Sequence, residues 1–148
     1  MIISHGNING FFDELLDDLK CQKDTRSYIV GIFGKYRSTE FDFSKDSIGD
    51  LFCQARNKHD FSLYQNLGDW LFFSNSIAPQ HLQFASKDYY DNIARLSYYS
   101  CYKLINGQWR LFEELADNLP NLEEQVKNRL PKLSLQSSVG TYIDPFGL

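Results

Sequence analysis

The chain has 148 residues, a net charge of −4 and a pI of about 5.3. That length suits one domain with a real core. The acid balance and the absence of a basic cluster argue against nucleic-acid binding, which needs a cationic face to displace counterions, and the longest strictly apolar run, Trp70 to Phe73, falls far short of the roughly 20 residues that span a bilayer.

The first residues, Met1 to Gly6, carry no basic segment followed by an apolar one, so no secretory leader is expected. Cys21, Cys53 and Cys101 are far apart and odd in number. They read as reduced, partly buried thiols rather than a disulfide framework. Both features predict a cytoplasmic protein. The aromatic fraction of 16% is high, with twelve Phe and nine Tyr. The core, or a surface groove, should therefore be built from rings, and buried Tyr hydroxyls will need partners.

Residues 1–8 read as a flexible arm. A first helix is predicted after Asn9, with Phe11, Phe12, Leu15, Leu16 and Leu19 at helical spacing. Thr25 or Asp24 can cap a second helix carrying Tyr28, Ile29, Ile32, Phe33 and Tyr36. A strand over Tyr28 to Phe33 is the alternative, because that segment is β-prone. Gly31 and Gly34 inside this helix suggest close approach of a neighbour. Phe41 and Phe43 should tuck under the fold from a loop. Ser44 or Asp46 can cap a third helix through Ile48, Leu51, Phe52 and Ala55.

Asp60 can cap a fourth helix, from Phe61 to about Asn75. Phe61, Tyr64, Leu67, Gly68 and Leu71 form one stripe; Leu63, Leu67, Trp70 and Phe73 form a second. Two stripes predict a helix covered on most of its circumference. Pro79 ends it, and a short helical turn can follow. A long fifth helix capped by Ser86 stops at Asn106-Gly107. A sixth contains Trp109, Phe112, Leu115, Ala116 and Leu119. Pro120 either kinks it or starts a seventh, Leu122 to Leu130. The fold expected is all-α: a single-domain bundle of six to seven helices over 9–130, with an extended apolar tail over 131–148.

This pattern resembles an uncharacterised family of small bacterial proteins. The likeness lies in Phe11-Phe12-Asp13-Glu14-Leu15, Tyr28-Ile29-Val30, Leu67-Gly68-Asp69 with the apolar run to Pro79, Lys87-Asp88-Tyr89-Tyr90, and Leu111-Phe112-Glu113-Glu114-Leu115-Ala116. It covers roughly residues 10–130. The resemblance implies an all-helical, soluble bacterial protein and no assigned activity. The chain departs from it after Tyr90, where Asn92, Arg95, Leu96, Tyr98 and Tyr99 replace small residues, so a pocket shared at that helix would differ here.

Asp69 stands alone among apolar neighbours, and burial would raise its pKa. It can be a pocket residue with Tyr89 and Tyr90, or a structural carboxylate accepting from a Tyr hydroxyl or a helix N-terminus, for example near those two tyrosines. Tyr98 and Tyr102 lie one turn apart and can present two phenols to a partner, since Tyr suits interfaces; core packing is the other reading. Tyr142, Ile143, Phe146 and Leu148 make the tail too apolar to stand idle, so it should dock on this domain or on another chain. His5, His59 and His81 show no metal-ligand spacing, and no Gly-rich phosphate loop is present. No catalytic residue, metal or cofactor is expected. The function expected is a non-enzymatic protein–protein interaction module: an adaptor, a chaperone or a subunit of a larger assembly, with a protein partner or self-association. A small-molecule-binding protein or enzyme, with a pocket near Asp69 and the helix-five tyrosines, is the alternative.

Overall fold

A computed structural model describes residues 12–37, 47–82 and 84–129. All regular structure among them is helical: α1 at 12–15, α2 (Lys23–Arg37), α3 (Ile48–Lys58), α4 (Phe61–Ile77), a 3-10 turn (Pro79–His81), α5 (Lys87–Leu104), α6 (Leu111–Asp117) and α7 (Leu119–Arg129). The expected all-α bundle is what the chain forms. The tail expected over 131–148 and the loop phenylalanines Phe41 and Phe43 lie outside the described residues.

The bundle is organised around α4. It packs against α2, α3, α5, α7 and the 3-10 turn. Every residue from Leu67 to Ser76 is buried. The two predicted stripes cover most of the circumference; Asp69 and Ser76 lie on the remaining side and are buried too, Asp69 under the hydroxyls of Tyr28 from α2 and Tyr98 from α5. Phe33 of α2 meets Phe72 and Phe73 of α4 and Phe12 of α1, with ring centroids 6.4, 5.8 and 5.7 Å away. Phe112 of α6 gathers Tyr28, Phe61 and Trp109, at 5.6, 5.6 and 5.7 Å. These tilted and edge-on contacts add to the area burial that drives the core together.

Local chemistry sets most helix ends. Asp60 accepts from the Leu63 N–H at 3.1 Å and starts α4. Ser86 accepts from the Tyr89 N–H at 3.2 Å and starts α5. Asn106 and Gly107, at φ 56° and 69°, carry the chain out of α5 through left-handed geometry. Pro120 lies in the first turn of α7, where its missing N–H is harmless, so it starts a helix rather than kinking one.

The helix expected over Tyr28 to Phe33 is what forms, its apolar residues packing at helical spacing and overriding the β propensity behind the strand alternative. Three other expectations need correction. Among the described residues nothing would come within 4 Å of a Cβ at Gly31, so no described helix packs closely on it. Ser47 caps α3, accepting from the Asp50 N–H at 3.3 Å, whereas Ser44 and Asp46 lie outside the described residues. Thr25 is buried inside the first turn of α2, its hydroxyl without a partner, and so is not a cap. Glu114 of α6 takes that place from a distance: its two carboxylate oxygens accept from the Gln22 N–H at 3.0 and 3.3 Å. A carboxylate there also suits the positive end of the helix dipole.

Candidate functional site: two buried carboxyl centres on α4

The first centre is Asp69, which is 3% exposed. Its Oδ1 accepts from the hydroxyl of Tyr28 on α2 at 2.7 Å and from that of Tyr98 on α5 at 2.9 Å. Its Oδ2 lies 3.7 Å from Nζ of Lys35 on α2. Outer contacts hold these donors in turn. Gln65 donates to the Tyr28 hydroxyl at 3.0 Å, Lys35 donates to the Asn66 side-chain oxygen at 2.8 Å, and Tyr36 donates to the Asn66 carbonyl at 3.2 Å.

Burial pushes the Asp69 carboxyl up to about 6. The hydrogen bond from Tyr28, the charge of Lys35 and the hydrogen bond from Tyr98 oppose that rise. Burial and the neighbouring carboxylate push the phenols of Tyr28, Tyr36 and Tyr98 well above their ordinary value. They are fixed as proton donors in hydrogen bonds and are not bases. The centre therefore joins α2, α4 and α5, and it has no open acceptor facing solvent.

The second centre lies two turns further along α4. Asn75 donates its side-chain N–H to Oδ1 of Asp91 on α5 at 3.0 Å. Lys87, one turn before Asp91, reaches Oδ2 of Asp91 at 2.6 Å and Oε1 of Glu123 on α7 at 3.1 Å. Burial, then the hydrogen bond and charge of Asp91, push Glu123 up to about 8, against the pull of Lys87. Burial alone would lower the Lys87 ammonium, but Asp91 and Glu123 outweigh it and the net shift is upward.

The sequence-predicted residues fall in different places. Asp69 is the buried hydrogen-bond acceptor of the structural reading, but its phenol partners are Tyr28 and Tyr98 rather than Tyr89 and Tyr90. Tyr90 is buried and accepts from the Phe84 N–H at 3.2 Å. Tyr89 is exposed and lies against Tyr90, with rings 5.5 Å apart. Tyr98 has no exposed surface, so it does not share an outward face with Tyr102 as expected; the α4 contact absorbs it. Tyr102 is half-buried and pairs with Tyr99 at 6.3 Å. Tyr142, Ile143, Phe146 and Leu148 lie outside the described residues.

The Asn75–Lys87–Asp91–Glu123 centre was not foreseen, although two signals for it stand in the sequence. Lys87 and Asp91 have the one-turn spacing of a helical ion pair. Glu123 occupies a position in the apolar stripe Leu119, Leu122, Val126 that a core residue would fill. Among the described residues no group of three or more His, Cys, Asp and Glu side chains is arranged to hold a metal ion. His81 stacks on Trp70 with centroids 5.6 Å apart, and its ring shares a 3.3 Å hydrogen bond with Ser74. None of the described helices is long and apolar enough to cross a membrane. The chain matches no family model, no curated protein and no solved structure.

Proposed function

We propose that the protein is a non-enzymatic protein–protein interaction module that acts as an adaptor, a chaperone or a subunit of a larger assembly. The observation that carries this reading is the outward face of α5. Tyr89, Leu96 and Tyr99 are all exposed there, and Leu104 and Trp109 extend the apolar surface past the helix end. Tyr89 and Leu96 are seven residues apart and Tyr99 follows one turn later, so they fall along one side of the helix. Lys103 sits 4.8 Å over the Tyr99 ring and adds a cation to that side. Rings and aliphatics grouped in this way suit partner recognition.

The tail residues Tyr142, Ile143, Phe146 and Leu148 belong to the same reading as a second contact. The partner is a protein or a second copy, in the cytoplasm, and not a nucleic acid. A pocket around Asp69, Tyr89 and Tyr90 draws no support from the geometry. Asp69 is enclosed by α2 and α5, and Tyr89 points outward from a different part of the helix.

The test compares the full chain with Leu96→Glu/Tyr99→Ser and with a chain ending at residue 131. Light scattering and affinity purification from the native host read self-association and partner retention. The expected result is loss of association in at least one variant, with unchanged helicity by circular dichroism. Association retained in full by both would refute the proposal.

A further inference from the structure

Glu123 is 1% exposed, on the face of α7 that Leu119, Leu122 and Val126 use to enter the core. Its Oε1 meets Lys87, but its Oε2 is buried with no hydrogen-bond partner. The charged groups of the centre are Lys87 and Asp91, both from α5; α4 brings only the neutral amide of Asn75, and α6 brings no group to it. Asp91 already accepts from Asn75 and Lys87. With both carboxyls ionised, the site holds two negative charges against one ammonium, and one buried oxygen lacks a donor. A proton on Glu123 balances the charge and supplies that donor toward Asp91. Two carboxyls in one dry site cannot both ionise cheaply.

We propose that Glu123, seated between Asp91 and Lys87, takes up one proton and forms a proton-operated clamp that holds α7 on α4 and α5 and loosens as the medium turns alkaline. Lys87, at 48% side-chain exposure, stands at the solvent end of the centre and gives the proton its way in and out. Loosening uncovers the stripe Leu119, Leu122 and Val126, so the clamp controls how much apolar surface the protein shows. It does not depend on the outward face of α5.

The sign follows from linkage. Glu123 has an ordinary value of 4.5 and is raised to about 8 in the fold. The folded chain thus keeps a proton that the unfolded chain has released. The resulting stability is fully present below about 4.5 and is lost as pH rises through about 8.

Urea unfolding of the full chain between about pH 6.5 and 9, followed by amide exchange helix by helix, tests the clamp. In the wild type Glu123 should raise the unfolding constant about thirtyfold over that range, and α7 should lose protection before α4 does. Glu123→Gln, which fixes the neutral form, should lose that rise and keep only a few-fold one, from the thiols of Cys21 and Cys101, which burial also raises. Lys87→Met removes the cation that opposes protonation and should move the wild-type transition to higher pH. An equal slope in Glu123→Gln would overturn the proposal, as would a transition unmoved in Lys87→Met or a uniform loss of protection across all helices. If Glu123→Gln does not fold, infrared spectra of the wild type decide. A protonated-carboxyl band at neutral pH that vanishes at alkaline pH supports the clamp, and its absence at neutral pH overturns it.

Discussion

The hydroxyl of Tyr98 donates to Asp69 at 2.9 Å, and the same ring lies so close to Gly68 that a Cβ there would stand 2.8 Å from its nearest carbon. Sequence neighbours on α4 thus receive one side chain of α5 in two ways. Gly68 makes room for the ring, and Asp69 accepts its hydroxyl. A bulkier residue at 68 would push the phenol away from the carboxylate, and a missing carboxylate would leave the hydroxyl buried and unpaired.

Gly68→Ala is expected to destabilise the fold despite Ala's better helix propensity. Propensity favours Ala by about 1 kcal/mol in a helix interior. The added methyl would contact the Tyr98 ring at 2.8–3.0 Å, and the ring is held by Asp69 and has no exposed surface into which it can move. Overpacking of this kind costs about 1–3 kcal/mol. The net expectation is a loss of up to about 2 kcal/mol, with about 1 kcal/mol at the middle of the range, read as a lower urea midpoint. In Gly68→Ala/Tyr98→Leu the clash disappears, so the cost of the alanine should shrink or reverse. A gain in stability from Gly68→Ala alone would show that the ring yields freely.

Tyr28→Phe and Tyr98→Phe each remove one donor from Asp69 and add no bulk. Each should cost about 1–3 kcal/mol, the penalty of under-satisfying a buried charged acceptor. Both hydroxyls meet the same oxygen, so the two losses should not add. A double-mutant cycle should show coupling of at least about 0.5 kcal/mol. Strictly additive losses would mean that the two phenols act independently of the shared carboxylate.

What was legible in the sequence and what was not divides along contact range. Asp60, Ser86 and Asn106-Gly107 act on backbone groups a few residues away, so their roles can be read locally. Most of the burial of α4 was legible for a similar reason: two apolar stripes cover the greater part of its circumference. The burial of its remaining side, with Asp69 and Ser76, was not, because it depends on side chains from other helices. The partners of Asp69 come from 41 and 29 residues away in sequence, on separate helices. No periodicity links Tyr28 or Tyr98 to Asp69 in particular, and the chain offers nine tyrosines to choose from. Tyr98 looked like half of an exposed pair because Tyr102 follows one turn later. In fact the boundary between the buried and exposed sides of α5 runs between Tyr98 and Tyr99. Glu114 illustrates the same limit, since it serves α2 from α6 and has no local sign of that role.

The pH response of Asp69 can be separated from that of Glu123 because it is completed at lower pH. Asp69 has an ordinary value of 3.8, raised by burial to about 6. Its folded form therefore holds a proton over a range in which the unfolded form does not. The stability from that proton is fully present below about 3.8 and is lost as pH rises through about 6. In a Glu123→Gln background, Asp69→Asn should flatten the decline in stability between about pH 4 and 6.5. The comparison must rest on the slope, because an Asn side chain also places an amide beside Lys35 and shifts stability at every pH. Tyr98→Phe makes the opposite test. It removes a hydrogen bond that holds the carboxyl down, so the transition should move to higher pH. Fluorescence of Trp70, the residue next to Asp69 and buried in the core, can follow unfolding in each case. If Asp69→Asn leaves the slope unchanged, Asp69 stays ionised through this range, and its phenol and lysine contacts outweigh burial.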